Sequence, residues 1–572
     1  NKKSVEGGAT ITQQLVKTAL LSPERTLQRK VRELVLSIAV ELLYSKDQIL
    51  EMYLNRVSYG GEAYGVEEAS WTYFGKTVSE LSLSQAALLA GLPASPTTYS
   101  PFGSRPELAK SRQKEVLRRM SEDNHITWEQ AQKVSETALV FAVPRIDIKA
   151  PHFVMYIKEL LAQKYGADVV EQGGLDVTTS LDLALQDKAQ EIVFNETSKI
   201  AYLRIGNGAA LITNPTTGEI LAMVGSRDYF DTKNDGNVNV TRALRQPGSS
   251  IKPVNYALAM MHNFTPGTLI EDAPITYRTP GQPNYSPVNY DGKWHGKVPL
   301  RVALGSSYNI PAVKVLAANG VENMITLAQE MGITTWNDPS RFGLSLTLGG
   351  GEVTMLDMAT VYGVLANAGS RINLHPILVI RDSFGKILEK LTEFPETKVF
   401  DPKIAYLISD ILADNNARAP AFGFRSDLFI PNHQIAVKTG TTNNMRDNWT
   451  VGYSPDRLVA VWVGNNDNSP MSYVASGVTG ASPIWRKIMD ELLKGKSPTV
   501  FTPPGDLIKV AICTITGELA CDGCPSRTEF FVPGTQPTRA CSPDAIKKYL
   551  EDKTKKDQEE RDKILNGAKI GM

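Results

Sequence analysis

The sequence predicts a multidomain chain: an all-α unit followed by an α+β unit built on an antiparallel sheet. Three observations carry this reading. The chain has 572 residues, too many for a single hydrophobic core. From residue 1 to about 135, apolar residues recur at helical spacing between capping signals. From about 205, short β-rich runs are separated by turn residues, with helical segments between them and no βαβ repeat.

The first unit, residues 1–135, opens on Gly7-Gly8-Ala9-Thr10-Ile11-Thr12-Gln13-Gln14, a polar, glycine-led segment running into Leu15-Val16-Lys17. Leu27, Val31, Leu34, Ile38 and Leu42 then recur at spacings of four, three, four and four, which predicts an amphipathic helix. Ser45 with Gln48, Thr77 with Glu80, and Ser82 with Gln85 are capping-box signals for three further helix starts. The last of these helices is expected to stop at Gly91, with Pro93 just beyond, and another to carry Arg112, Val116, Leu117 and Met120. On spacing alone Glu33 is a surface carboxylate paired with Arg29 at i,i+4. Arg25, Arg29, Lys30 and Arg32 crowd around it, however. Such a cluster suits a polyanion such as phosphate, and a carboxylate among cations keeps its charge.

Residues 136–204 read as a connector: extended over 143–149, helical over 153–165, a short strand over 175–179, and helical again over 181–193. In the 205–495 unit, Ala209–Ile212 and Ile220–Val224 flank Pro215-Thr216-Thr217-Gly218 as a hairpin. Gln434–Thr439, Trp449–Tyr453 and Leu458–Gly464 are three more strands, and Asn323–Met331 and Met355–Ala368 are helices. Gly349-Gly350-Gly351 lacks the context of a phosphate-binding loop and reads as a turn. Residues 496–545 form a small cysteine-containing segment behind a proline-rich joint. Residues 546–572 are a charged tail, a solvated helix or disordered segment.

A hydrophobic share of 42% with 21% charged residues is that of a globular protein, and a net charge of zero gives no ground for nucleic-acid binding. No apolar run is long enough to span a membrane, and no signal peptide is present. All four cysteines fall late, at Cys513, Cys521, Cys524 and Cys541. Two disulfides in an oxidising compartment are favoured over a four-thiolate zinc site. The six histidines show no metal-ligand spacing.

The chemistry centres on Arg245-Gln246-Pro247-Gly248-Ser249-Ser250-Ile251-Lys252-Pro253, at the start of an apolar helical pattern. Ser249 precedes Lys252 by three residues, so on a helix the amine lies one turn from the hydroxyl. Serine is a weak nucleophile until a neighbouring base takes its proton. A capping serine beside a solvated lysine is the competing reading of that tetrapeptide. Downstream stand Ser307-Tyr308-Asn309 and, at the end of a strand, Lys438-Thr439-Gly440-Thr441-Thr442. Ser-x-x-Lys, Ser-Asp-Asn and Lys-Thr-Gly are the signature triplet of penicillin-binding proteins and class A β-lactamases. Tyr308 stands where the second motif has aspartate, which fits the broader Ser-x-Asn form.

The roles follow from the chemistry. Ser249 attacks a peptide carbonyl to form an acyl-enzyme. Lys252 accepts its proton if burial and Lys438 lower its pKa. Ser307 relays a proton to the leaving amine, and Asn309 orients Lys252 and the substrate amide. Lys438 and Thr439 suit a terminal carboxylate, with Thr441 and Thr442 beside them as further substrate contacts. Gly440 lets the strand approach the substrate. The N–H groups of Ser249 and Thr441 are candidates for the oxyanion hole. Ser250 has no lysine three residues on, which singles out Ser249.

On these motifs the chain resembles the class A, bifunctional, penicillin-binding proteins, over nearly everything from residue 1 to about 545. The first unit resembles the family 51 glycosyltransferase module, which implies a lysozyme-like helical fold. Its motifs stand here as Gly7–Gln14, Arg29-Lys30-Val31-Arg32-Glu33, Tyr53-Leu54-Asn55, Tyr73-Phe74-Gly75-Lys76 and Ala86–Pro93. The resemblance implies that Glu33 is an active-site carboxylate. It also implies that Thr10, Gln13, Gln14, Lys17, Arg29 and Lys30 line the site for the lipid-linked pyrophosphate sugar. The later unit is expected to share the β-lactamase/DD-peptidase-like fold.

No cofactor is implied for the transpeptidase; a divalent cation, Mg2+ or Mn2+, is expected at the glycosyltransferase site. Expected partners are lipid II, nascent peptidoglycan, β-lactams, the membrane in the full-length protein and cell-wall elongation or division proteins. The expected place is the extracytoplasmic face of the cytoplasmic membrane. The family usually has serine where Ala9 stands. The glutamate taken as general base, and the membrane helix, would precede residue 1, so this stretch of chain is expected not to polymerise glycan by itself.

Two other functions compete. A serine β-lactamase or β-lactam sensor shares the triplet, but the first unit and the absence of a recognisable deacylating glutamate stand against it. A non-catalytic scaffold is disfavoured because no position of the triplet is substituted.

Overall fold

The helices of the first unit are α1 (Ile11–Leu20), α2 (Leu27–Leu43), α3 (Lys46–Leu54), α4 (Val66–Phe74), α5 (Leu83–Gly91), α6 (Glu107–Glu122) and α7 (Trp128–Glu136). Reciprocal capping boxes open α1, α3, α5 and α7, at Ser45 for α3 and Ser82 for α5, and Thr77 and Glu80 form one over a short 3-10 turn. This is a computed structural model that describes residues 9–569 apart from 22–26, 61–62, 97, 103–105, 143–147, 173, 279–282, 443 and 473–477. Gly7, Gly8, Arg25, Gly173 and most of the stretch read as extended over 143–149 lie outside the described residues. The chain divides into two compact units, Asn1–Ile148 and Lys149–Met572.

The amphipathic helix expected over Leu27 to Leu42 forms as α2. The apolar positions of α2 do not face its core: Val31, Leu34, Ile38 and Leu42 are 57, 53, 55 and 82% exposed. The inward face of the helix is instead polar, with Glu33 and Ser37 buried and Thr12 of α1 bonded to Glu41. Apolar spacing marks a stripe on a helix; it does not say which face a neighbour covers.

The second unit begins with α8 (Pro151–Tyr165), α9 (Ala167–Gln172), β1 (Asp176–Thr179), α10 (Leu183–Lys199), β2 (Asn207–Thr213) and β3 (Ile220–Val224). After a 3-10 turn at Gly248–Ile251 come α11 (Lys252–Met261), β4 (Leu269–Asp272), β5 (Gly296–Pro299), α12 (Leu300–Gly305), α13 (Asn309–Asn319), α14 (Val321–Met331) and α15 (Met355–Ala366). Next are β6 (Ser370–Ile372), β7 (Ile377–Arg381), β8 (Ile387–Lys390), β9 (Glu396–Lys398), α16 (Pro402–Ala413) and α17 (Asn415–Phe422). The unit closes with β10 (Ala436–Thr441), β11 (Asp447–Tyr453), β12 (Leu458–Gly464), α18 (Ala481–Leu493), β13 (Ile508–Cys513), β14 (Ser526–Phe531) and α19 (Pro543–Lys569).

The central sheet has strand order β10-β11-β12-β2-β3, and every neighbouring pair is antiparallel. Its strands are apolar on both faces because both are covered. Leu211, Trp449, Val451 and Trp462 belong to the core under α15 and α16, whereas Ile212, Val459, Val461 and Val463 pack under α10 and α18. Residues 149–204 are built into this unit rather than strung beside it: β1 pairs with β7, and α10 packs on β2 and β3.

The cysteine segment is a β13–β14 hairpin closed by Cys513–Cys524 and Cys521–Cys541 disulfides, with Cα atoms 5.8 and 5.5 Å apart. The fourfold zinc alternative is thereby set aside. No described helix is long and apolar enough to cross a membrane.

Candidate active site

The three motifs of the second unit meet at one place. Ser249 lies in the 3-10 turn and Lys252 is the first residue of α11. In a 3-10 turn residues i and i+3 eclipse, which aligns the two side chains more closely than an α-helix does. The solvated-lysine reading fails, because Lys252 is 0% exposed. Its Nζ donates to Ser307 O at 2.7 Å, Asn309 Oδ1 at 2.8 Å, Tyr308 O at 3.2 Å and Ser307 Oγ at 3.4 Å. Ser250 is settled elsewhere: its hydroxyl donates to Pro247 O at 2.6 Å and its carbonyl accepts from Tyr362 Oη at 2.6 Å.

Ser307 follows the end of α12 with a left-handed backbone, φ 61°, a costly conformation for a residue with a Cβ. The result is a hydroxyl held between two amines. Lys438 Nζ donates to Ser307 Oγ at 2.7 Å and to Thr439 O at 2.9 Å. Burial, then the charge of Lys438, pushes Lys252 well below the ordinary lysine range. Burial, then the nearby Arg418 guanidinium, brings Lys438 down to about 7. Arg418 is itself buried behind the site, where it donates to the carbonyls of Leu428 and Leu412.

Glycines bring these segments together. A Cβ on Gly440 would lie 2.2 Å from Pro247 O and 2.9 Å from Ser250 N. Gly440 therefore lets β10 approach the nucleophile turn closely. A Cβ on Gly349 would lie 2.2 Å from Gly248 N, so the triple-glycine turn is pressed against the same place. Thr441 Oγ1 accepts from Asn448 Nδ2 at 3.1 Å. Thr442, expected among the substrate contacts, closes the β10–β11 turn: its Oγ1 accepts the N–H groups of Arg446 and Asp447, both at 3.0 Å.

Sequence reasoning missed the supports of this site. Arg301 on α12 is 2% exposed and binds Glu529 of β14, Asp410 of α16 and Asp414. Arg527 also reaches Asp414, at 2.7 Å. The disulfide hairpin is thus tied to the helix that leads into Ser307. Ser306 Oγ donates to Ala417 O at 2.8 Å, which locks the end of α12 onto α17. No local motif marks these partners, because they are more than a hundred residues apart in the chain.

In the first unit Glu33 is buried and pairs with Arg29 at 3.1 Å and with Lys30. The expected i,i+4 pair is present but it is not a surface pair. Burial alone would raise the Glu33 carboxyl; Lys30 and Arg29 outweigh it and hold it below the usual carboxylate range. Thr10 and Gln13 form the capping box of α1, each side chain accepting the other's backbone N–H. Gln14 accepts from Tyr53 Oη at 3.2 Å, which joins two of the motifs, and Lys17 is exposed. Among the described residues of the first unit, Arg29 and Lys30 take up the Glu33 carboxylate. Among the described residues, the one group of three ligating side chains close enough to share an ion is Cys513, Cys524 and Cys541, which the disulfides close.

Comparison with known proteins matches both units to one family. Residues 1–121 match the transglycosylase family model, residues 208–490 the penicillin-binding protein transpeptidase domain, and residues 503–544 the C-terminal domain of penicillin-binding protein 1A. Penicillin-binding protein 2D of Bacillus subtilis is 34% identical over 550 residues, covering 94% of this chain and 77% of that protein. Penicillin-binding protein 1A of Aquifex aeolicus is 31% identical over 625 residues, covering 94% and 84%. The crystal structure of penicillin-binding protein 1A from Haemophilus influenzae shares the fold, with a TM-score of 0.70 at 24% identity over 93% of this chain and 94% of that one.

Proposed function

The chain belongs to the class A penicillin-binding proteins, and from that premise we propose how its own residues divide the work. It is a peptidoglycan synthase with a glycosyltransferase unit and a DD-transpeptidase unit. One observation carries the residue assignment: a fully buried Lys252 beside Ser249, with a second buried lysine across Ser307.

A neutral Lys252 amine has two hydrogens and one lone pair. The hydrogens go to Ser307 O and Asn309 Oδ1, its two shortest contacts. The lone pair is left for the Ser249 proton. As Ser249 Oγ bonds to the penultimate carbonyl carbon of a stem peptide, its proton passes to Lys252. The N–H groups of Ser249 and Thr441 receive the negative oxygen. The C–N bond then breaks, and the proton reaches the leaving amine through Ser307. An acceptor amine attacks the ester, gives up its proton by the reverse route and frees Ser249. Lys438, charged below about 7, and Thr439 hold the terminal carboxylate. β10 is an edge strand, open to an extended donor peptide.

In the first unit Glu33 stays ionised and fixes Arg29 and Lys30, which with Lys17 meet the pyrophosphate of lipid II. Thr10 and Gln13 contribute by shaping the start of α1, where the helix N-terminus favours an anion. The disulfides suit an extracytoplasmic, oxidising compartment.

A fluorescent penicillin tests the transpeptidase assignment. We expect a long-lived covalent label that is lost in Ser249→Ala. A label that survives Ser249→Ala would overturn it, and rapid hydrolytic release would make the protein a β-lactamase. Binding of lipid II, compared between this chain and Glu33→Gln, tests the first unit: weaker binding in the variant is expected, and equal binding would overturn the assignment.

A further inference from the structure

Asn309 can serve Lys252 only if its amide oxygen, not its nitrogen, faces the amine. Nothing in α13 fixes this choice. Its N-cap, Tyr308, makes no side-chain cap. The cap comes from Asn289, outside the three motifs and 4% exposed. Asn289 Oδ1 accepts the N–H of Asn309 at 2.8 Å and of Ile310 at 3.3 Å. The carbonyl of the preceding Val288 accepts from Asn309 Nδ2 at 2.8 Å. A carbonyl can only accept, so Nδ2 is pinned there and Oδ1 is turned to Lys252.

Asn289 is in turn held by a buried carboxylate. Its Nδ2 donates to Asp272 Oδ1 at 2.9 Å, to Asp272 Oδ2 at 2.7 Å and to Lys293 O at 2.8 Å. Asp272 is 0% exposed, sits at the end of β4, and also accepts the backbone N–H of His295 at 3.1 Å. The His295 ring lies between Asp272 and Asp291 and stacks on Tyr308 at 3.9 Å, 12° from parallel. The segment between β4 and β5 therefore holds Tyr308 and Asn309 of the motif and Ile310 just beyond it.

We propose that Asn289, held by Asp272, is a positioning residue for acylation: it acts through Asn309 to keep a hydrogen-bond acceptor on Lys252, and so leaves the lysine's lone pair to Ser249. This rests on the assignment of Ser249 and Lys252 above. The charged groups around Lys252 are Lys438 and, behind it, Arg418; those around Asp272 are His295 and, beyond it, Asp291.

The test is the second-order rate constant for acylation by a fluorescent penicillin, measured against pH with the labelled fraction titrated. We expect Asn289→Ala to slow acylation on the order of 10-fold to 100-fold per active molecule. An acceptor on Lys252 favours its protonated form, so losing it lowers the lysine pKa and moves the acidic limb of the profile to lower pH. Asn289→Asp alone sets two carboxylates face to face and should be slower still. The double exchange Asp272→Asn with Asn289→Asp rebuilds the pair with donor and acceptor reversed, and should recover most of the parent rate. The exchange also stands in if Asn289→Ala fails to fold. An unchanged rate and limb in Asn289→Ala, or a slower rate with no shift of the limb and no recovery in the exchange, would overturn the proposal. Failure of the underlying assignment shows separately, as a label that survives Ser249→Ala.

Discussion

The two units bury charge in opposite ways. Glu33 is buried against Arg29 and the half-exposed Lys30 and stays ionised, so burial there makes a fixed electrostatic clamp. Lys252 and Lys438 are enclosed with each other, and the cation behind them, Arg418, is of the same sign. Opposite charges offset desolvation; like charges add to it, and the group escapes by giving up its proton. One burial makes a binding group and the other makes a base. Arg301 is a second case of the first kind, a buried cation among three carboxylates, and it supports the catalytic loop without taking part in chemistry.

The contrast is broken most directly at Lys252. Lys252→Met removes the base while keeping an apolar stem in the same space. We expect acylation by a fluorescent penicillin to fall about 10²–10⁴-fold, with thermal unfolding of the second unit unchanged or higher. A variant that acylates at the parent rate would show that burying a lysine here does not make the base.

Smaller effects are expected where the buried charges are opposite. Glu529→Gln leaves Arg301 with Asp410 and Asp414 alone, so calorimetry should show the second unit destabilised by about 3 kcal/mol. Glu33→Gln should cost the first unit about 1–2 kcal/mol, because Lys30 is half exposed and partly compensated by water. If Glu33→Gln instead stabilised the first unit, the pair would not be the clamp described.

How far the sequence disclosed this depended on distance along the chain. Capping boxes at Ser45 and Ser82 are local, and they stand where the spacing put them. The hairpin across residues 215–218 and the order of the three motifs were equally plain. The antiparallel α+β class followed from turn-separated strands. What was hidden was orientation and long-range support. The stripe on α2 was visible, but which side α1 covers was not. Arg301 looked like an ordinary polar residue because its partner Glu529 lies 228 positions away. Asn289, Asp272 and Arg418 did so because their nearer partners, 10 to 20 positions off, follow no helical or strand spacing. The capping box of Thr10 and Gln13 was equally local, a Thr-x-x-Gln spacing that was there to be read.

The finest test separates the two lysines of the like-charged pair. With Lys438 at about 7, its ammonium is present below that pH and lost above it, so recognition of a substrate carboxylate should weaken on the alkaline side. Lys252 lies well below its ordinary range and sets the acidic side instead. The pH profile of acylation at limiting substrate should therefore be a bell whose alkaline limb belongs to Lys438. Arg418→Met removes the like charge that helps to depress Lys438. Its pKa then rises, and the alkaline limb should move to higher pH while the acidic limb stays in place. A penicillin esterified at its carboxylate should lose the alkaline limb in both proteins. If Arg418→Met moved the acidic limb instead, the field of Arg418 would act on Lys252, and the division between the base and the carboxylate-binding lysine would have to be reversed.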